Sequence, residues 1–268
     1  MLEWGGETMV TAPRLIRDFA TFAAPRSVLV VIAHPDDIEA LCGGTVALLA
    51  ASGARLTYLV LTSGDKGSPD PLIDPRALGA TREAEQRAAA ALLAIDDVVF
   101  LRYHDGEVAD DPPTRAAVAA QMRRVRPDLL IAFDPWHDYT FHNDHRQSGL
   151  VALAAARTLA RQSGPASGAD GAVTETLARP HTIPEAWLFL TGRPNLVFDV
   201  APVIERKVAA RLAHVSQAAD PAGVARGVRT RAESSGAPYG LALAETFRAV
   251  SFPLDESFVA RMAAGDEG

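Results

Sequence analysis

The stretch Ser27-Val28-Leu29-Val30-Val31-Ile32-Ala33-His34-Pro35-Asp36-Asp37 decides how this chain folds. Six successive apolar residues from Val28 to Ala33, several of them β-branched, form the pattern of a strand buried on both faces, as in a parallel sheet. One imidazole and two carboxylates follow at once. Ligands of parallel sheets sit outside the strand carboxyl ends, so His34, Asp36 and Asp37 occupy the position of a site. These residue types supply metal ligands together with a spare base. Pro35 and the two Asp residues are also ordinary turn formers, and taken alone the string equally well closes a strand.

Working outward, strand-length apolar runs recur at Arg55–Leu61, Val98–Leu101, Asp128–Phe133, Ala186–Leu190 and Leu196–Val200. Between or beyond them, Thr45–Ser52, Arg76–Ile95, Thr114–Arg126, Val151–Ala160 and Pro202–Gln217 read as helices. Parallel strands need crossovers of about a dozen residues, which helices of this kind provide. The expectation is a single α/β domain, a Rossmann-like, mostly parallel sheet flanked by helices. Its core spans about 27–217, with 218–268 as a C-terminal extension. Residues Ser163–Thr176 are dense in Gly, Ser, Ala and Thr without apolar periodicity. They read as a surface loop, either an unselected insertion or an active-site lid.

The 268 residues carry 26 Lys and Arg against 33 Asp and Glu, a formal charge of −7, which argues against a general nucleic-acid binder. The single Cys42 permits no intramolecular disulfide. No basic head precedes an apolar stretch of signal-peptide length, and no run approaches the roughly 18 apolar residues of a membrane span. A cytoplasmic protein is expected.

A second cluster, His142-Asn143-Asp144-His145, follows the strand Asp128–Phe133 after a loop containing Asp134, Trp136 and His137. Histidines three residues apart at a helix start can face one side, and Asp144 can accept an N–H from an imidazole and fix its tautomer. Two such clusters at carboxyl ends of parallel strands are far less readily an accident than either alone. Trp136, His137 and Tyr139 can line a pocket, or simply pack their loop. Arg82 shares its helix with Glu83, Glu85 and Arg87, the composition of a solvated ion-pair face. Asp105 before Gly106 fits a turn. A nucleotide-binding or metal-dependent phosphoesterase domain is disfavoured by the lack of G-x-G-x-x-G and of a P-loop. Two histidine ligands also suit zinc better than magnesium.

The segment Ala33-His34-Pro35-Asp36-Asp37-Ile38-Glu39, continuing to Cys42-Gly43-Gly44-Thr45, together with His142–His145, resembles the two signatures of the PIG-L/LmbE-like zinc-dependent de-N-acetylases. Further similarity lies in Arg82 and Glu85, in Tyr103-His104-Asp105-Gly106-Glu107, and in Lys207 followed by His214-Val215-Ser216-Gln217. Leu41 stands where many members have Gly. The resemblance implies one Zn²⁺ per chain held by His34, Asp37 and His145, with Asp36 as general base. It implies that His142, oriented by Asp144, stabilises the oxyanion or protonates the leaving amine, and that Arg82 and Asp105 face substrate hydroxyls. The implied substrate is a small N-acetylglucosamine-type conjugate, deacetylated by a homo-oligomeric enzyme. Amidases of thiol-sugar conjugates within the same family are the neighbouring reading, and a module that has lost turnover is a further one.

Overall fold

The computed structural model describes residues 12–251, apart from 96, 139, 162, 163, 168, 169 and 171. Its strands are β1 (Arg14–Ile16), β2 (Ser27–Ile32), β3 (Arg55–Thr62), β4 (Asp97–Tyr103), β5 (Leu129–Phe133), β6 (Gly164–Ser167), β7 (Val173–Ala178), β8 (Glu185–Phe189), β9 (Leu196–Asp199) and β10 (Ala244–Ser251). Its helices are α1 (Asp37–Leu41), α2 (Gly43–Ala51), α3 (Pro75–Leu92), α4 (Pro112–Val125), α5 (Asn143–Leu159), α6 (Ile204–Leu212) and α7 (Pro221–Gly236). Helix starts follow a local rule. Asp74, Asp111 and Asp220 each precede a proline and accept a backbone N–H of the first turn with their side chains, so α3, α4 and α7 begin with a cap and a preset φ.

Eight strands form one sheet in the order β1-β9-β10-β8-β5-β2-β3-β4. β2 pairs in parallel with β3 and β5, β3 with β4, and β5 with β8. The single-domain, mostly parallel α/β architecture expected from the sequence is the one adopted. From β2 the chain winds outward through β3 and β4, then returns to lay β5 on the other side of β2. At that reversal the crossover helices leave opposite faces, and a crevice opens at the carboxyl ends of β2 and β5.

Alternation along β2 places Val28, Val30 and Ile32 in the apolar layer on one face and Leu29 and Val31 in the layer on the other. Helix α2 is buried from Gly43 to Leu49. Gly44 permits its close approach, since a Cβ there would come within 2.8 Å of Val200 and 3.0 Å of Glu245 Oε1.

Three expectations change. The described residues within 163–176 are not a structureless loop: β6 and β7 pair antiparallel, with Gly164 opposite Ala178, and Arg123 Nη1 donates to the Pro165 carbonyl at 3.3 Å, fastening β6 to α4. The described part of 218–268 is no appendage. β10 enters the main sheet antiparallel to both β8 and β9, and Val228, Ala232 and Phe247 join the apolar core. Finally, Pro202–Gln217 is divided into a 3₁₀ turn at Ala201–Val203, α6, and a second 3₁₀ turn at Val215–Gln217.

Candidate active site

β2 ends at Ile32 and α1 begins at Asp37, so His34, Pro35 and Asp36 make the turn at the crevice. Asp36 has φ of 96°, a left-handed conformation that costs a non-glycine residue about 1–3 kcal/mol. Its surroundings enforce it. The Asp36 N–H donates to Gln86 Oε1 at 2.9 Å, and the carboxylate lies 3.2 Å from Arg211 Nη2 and 3.5 Å from Arg82 Nη2.

The second cluster arrives on β5 and α5. Phe133, the last residue of β5, stacks on His145 at 4.3 Å between ring centroids. The rings of His34, His142 and His145 lie 4.5, 5.2 and 4.7 Å apart, pair by pair. Asp37 joins the two strand ends: Oδ1 is 3.3 Å from His145 Nε2, and Oδ2 is 3.7 Å from His34 Nδ1 while accepting the His34 backbone N–H at 2.8 Å. The other nitrogen of His34, Nε2, lies 3.2 Å from both Asp105 Oδ1 and Asp144 Oδ2.

Among the described residues two groups could hold a metal ion, His34 with His142 and His145, and His34 with Asp105 and Asp144, each with ligand atoms within 4.8 Å of one another. Asp144 is already heavily engaged. Fully buried, it accepts the N–H groups of Gly106 at 2.6 Å and Val108 at 3.2 Å. With Asp105 it grips Nε2 of His34, which leaves Nδ1, on the Asp37 side, as the ring nitrogen open to an ion. Carboxylates that hold the far nitrogen of a ligating histidine fix its tautomer and raise its basicity.

The electrostatics follow from burial and carboxylate density. Burial pushes the His34 imidazolium down, but hydrogen bonds to Asp105 and Asp144 and the charge of Asp37 outweigh it and raise His34 to about 10. Asp37 is fully buried, which pushes its carboxyl up, yet hydrogen bonds and charge from His145 and His34 hold it below the ordinary value. Burial and the neighbouring Asp37 hold the Asp36 carboxyl above the ordinary 3.8 despite Arg211 and Arg82. Burial, then the adjacent His34 and His145, hold His142 below 6.5.

These contacts revise several assignments. Asp144 engages His34, not His142, because the first turn of α5 points it inward onto the loop at Gly106 and Val108. His142 is therefore not kept protonated by that partner. Arg82 is buried and braces the site instead of facing open solvent: Nη1 donates to Gly64 O at 3.0 Å and Nη2 to Pro35 O at 2.7 Å. Gly64 and Gly67 leave the space that its guanidinium fills. Asp105 is likewise turned onto His34. Tyr139 lies outside the described residues.

Sequence reasoning missed the partners of Asp36. Arg211 belongs to α6, which packs on α1; Lys207 lies one turn before it on the same helix, and His214 follows just beyond the helix end. That repeated cation pattern was the available signal. Lys207 Nζ lies 2.6 Å from Glu245, and His214 Nε2 lies 3.2 Å from Glu39, all four side chains being buried. Glu245 also accepts the N–H groups of Gly44 and Thr45 at the start of α2. Glu39 accepts from Gln86, which in turn holds the Asp36 N–H. Ser216 and Gln217 tie the end of this segment to Glu85 and to the Gly67 carbonyl.

A family model described as PIG-L, GlcNAc-PI de-N-acetylase, matches residues 29–156. Diacetylchitobiose deacetylase of Thermococcus kodakarensis is 30% identical over 196 residues, covering 72% of this chain and 70% of the relative. The 1D-myo-inositol 2-acetamido-2-deoxy-alpha-D-glucopyranoside deacetylase of Rhodococcus erythropolis is 30% identical over 208 residues, covering 68% of this chain and 67% of the relative. In structure, N,N'-diacetylchitobiose deacetylase from Pyrococcus horikoshii, complexed with its inhibitor MPG, superposes with a TM-score of 0.76 at 27% identity, covering 84% of each chain. The relatives are thus N-acetylglucosamine-type deacetylases that share this fold, and the two motifs that meet at the β2 and β5 ends lie inside the matched region. On that agreement of fold, motifs and identity, the chain belongs to the PIG-L family.

Proposed function

We propose that this protein is a zinc-dependent hydrolase that removes the acetyl group from an N-acetylglucosamine-type substrate, with the ion held by His34, Asp37 and His145. One observation carries the reading: Asp37 lies between an imidazole nitrogen of each motif, and Asp36 stands beside it without contacting either histidine. Two imidazoles and a carboxylate are a donor set that suits zinc and leaves a position open. When bound, Zn²⁺ supplies the Lewis acidity that polarises an acetamide carbonyl and acidifies water.

The chain's own groups do the rest. Asp36, held by Arg211, Arg82 and Gln86, accepts the proton of the attacking water, and its raised pKa suits that task. His142, exposed at the mouth of the site and held below 6.5, is neutral near pH 7. It can donate a ring N–H to the developing oxyanion. Asp105 and Asp144 fix His34 from behind, and Arg82 braces the turn. Asp36 is the group placed to return the proton to the departing amine. A cytoplasmic, homo-oligomeric small-molecule enzyme is the setting of this reading; no helix among the described residues is long and apolar enough to cross a membrane.

Bound zinc and acetate release, measured for two variants on N-acetylglucosaminyl conjugates, test the assignment. His145→Ala should lose both the ion and turnover. His142→Ala should keep the ion and lose about 10²–10³-fold in turnover, the usual cost of an oxyanion donor. If His142→Ala loses zinc and His145→Ala keeps it, the assignment is reversed and wrong. Zinc at one per chain without acetate release from any conjugate would refute the deacetylase.

A further inference from the structure

The turn that carries Asp36 is gripped by one face of one helix. Arg82 and Gln86 stand one turn apart on α3, and both are buried. Arg82 Nη2 donates to the Pro35 carbonyl at 2.7 Å, and Gln86 Oε1 accepts the Asp36 N–H at 2.9 Å. These are the two polar groups of a single peptide, the one joining Pro35 to Asp36, so α3 holds its plane at both edges. The next rotatable bond is the one at which Asp36 keeps its φ of 96°. With the plane held, that left-handed angle sets where the carboxylate leaves the turn.

The Gln86 amide is aimed from behind. Its Nε2 donates to Glu39 Oε1 at 3.0 Å, and because a carboxylate only accepts, Oε1 is the end left to face Asp36. Glu39 Oε2 in turn lies 3.2 Å from His214 Nε2. His214 Nδ1 has no hydrogen-bond partner, so Nε2 is the nitrogen that donates. Gln86, Glu39 and His214 are all fully buried. None of the three faces a substrate.

We propose that Gln86 is a positioning residue for the base: with Arg82 it clamps the peptide between Pro35 and Asp36 in the left-handed turn, its amide aimed by Glu39 and His214, and turnover depends on that clamp. The effect on turnover rests on the deacetylase reading. The hold on the peptide does not.

Two variants of the zinc-loaded protein test it, each read by amide exchange of Asp36 in NMR of ¹⁵N-aspartate-labelled protein, by bound zinc, and by kcat and KM for acetate release. Gln86→Met removes both hydrogen bonds at nearly the same side-chain length. Gln86→Glu combined with Glu39→Gln exchanges amide and carboxylate, and leaves every donor along the chain facing an acceptor. In Gln86→Met the Asp36 amide should exchange at least about tenfold faster than in the wild type, the scale of one lost hydrogen bond. Its kcat should fall about 10²-fold, the usual cost of a misplaced group, with KM and zinc content unchanged. The exchanged pair should keep the amide protected and kcat within about tenfold of the wild type. Should Gln86→Met fail to fold, Gln86→Asn, one methylene short of the turn, carries the same expectations. An Asp36 amide still protected in the breaking variant, exposed at unchanged kcat, or exposed only together with loss of zinc would overturn the clamp, as would an exchanged pair no better than Gln86→Met. Absence of acetate release from every conjugate by the wild type would instead sink the deacetylase reading, with the amide exchange still deciding whether Gln86 holds the peptide.

Discussion

Two groups of buried charges flank α1, and they are built differently. Around His34, three carboxylates, Asp37, Asp105 and Asp144, gather on one imidazole, Asp37 also reaching His145, with His142 exposed at the edge. On the far side, Lys207 meets Glu245 and His214 meets Glu39, partner for partner, with side-chain exposures of 3% or less. Matched, sealed pairs fix helices in place. A surplus of negative charge beside an opening suits a cation that comes and goes. The difference teaches that burial of charge by itself does not mark a reactive site; imbalance next to an opening does.

The comparison breaks first at the sealed pair. Lys207→Met leaves Glu245 buried without its cation and should destabilise the protein by about 3–5 kcal/mol in denaturant unfolding. Zinc content of the protein that remains folded should be unchanged. If Lys207→Met instead loses zinc at unaltered stability, the two groups are one.

A smaller effect is expected on the open side. Asp144→Asn keeps the shape but weakens the grip on His34 Nε2, and zinc affinity measured by competition with a chelator should fall about 10–100-fold. An unchanged affinity would show that Asp144 serves only the Gly106–Val108 loop.

The smallest effect belongs to a carboxylate away from the histidines, Glu83, which is buried but whose arginine partners reach solvent. Burial pushes the Glu83 carboxyl up, but hydrogen bonds from Arg102, Ser63 and Arg87 prevail and hold it below 4.5. Its contribution is therefore present above pH about 4.5 and is lost as pH falls through the lower folded value. Because Arg102 is more than half exposed, Glu83→Gln should cost no more than about 1 kcal/mol at pH 7, and the gap to the wild type should narrow in acid melts as pH falls below 4.5.

What the sequence made legible follows physical lines. β2 and β5 were readable because both faces of a central parallel strand are buried and their apolar runs are continuous. That the side chains of His34, Asp37, His142 and His145 lie together was readable because one polar cluster ends the first run and the other follows the second after a short loop. β10 was not: Glu245 and Arg248 interrupt its apolar positions yet are themselves buried, so the pattern reads as solvated. β6 comes from small residues, Gly164-Pro165-Ala166-Ser167, that carry no apolar alternation. The orientation of Arg82 was within reach, since Leu78, Gly79, Arg82, Glu83, Gln86, Ala89 and Ala90 trace the inward stripe of α3 at helical spacing. Weighed with its charged neighbours Arg82 suggests a solvated face; weighed with that stripe it turns inward, where its guanidinium meets the Pro35 and Gly64 carbonyls. Asp144 could not be assigned from spacing, because its partner lies 110 positions away.

The position of β10 bears on how the molecule is made. β8 and β9 never pair with each other; the last described strand slips between them. During synthesis, a nascent chain emitted only as far as residue 240 presents two open strand edges and a lysine, Lys207, whose counter-ion does not yet exist. Completion of the sheet therefore waits for residues Ala244–Ser251, and a premature stop before Ala244 should yield an aggregation-prone species and not a trimmed enzyme.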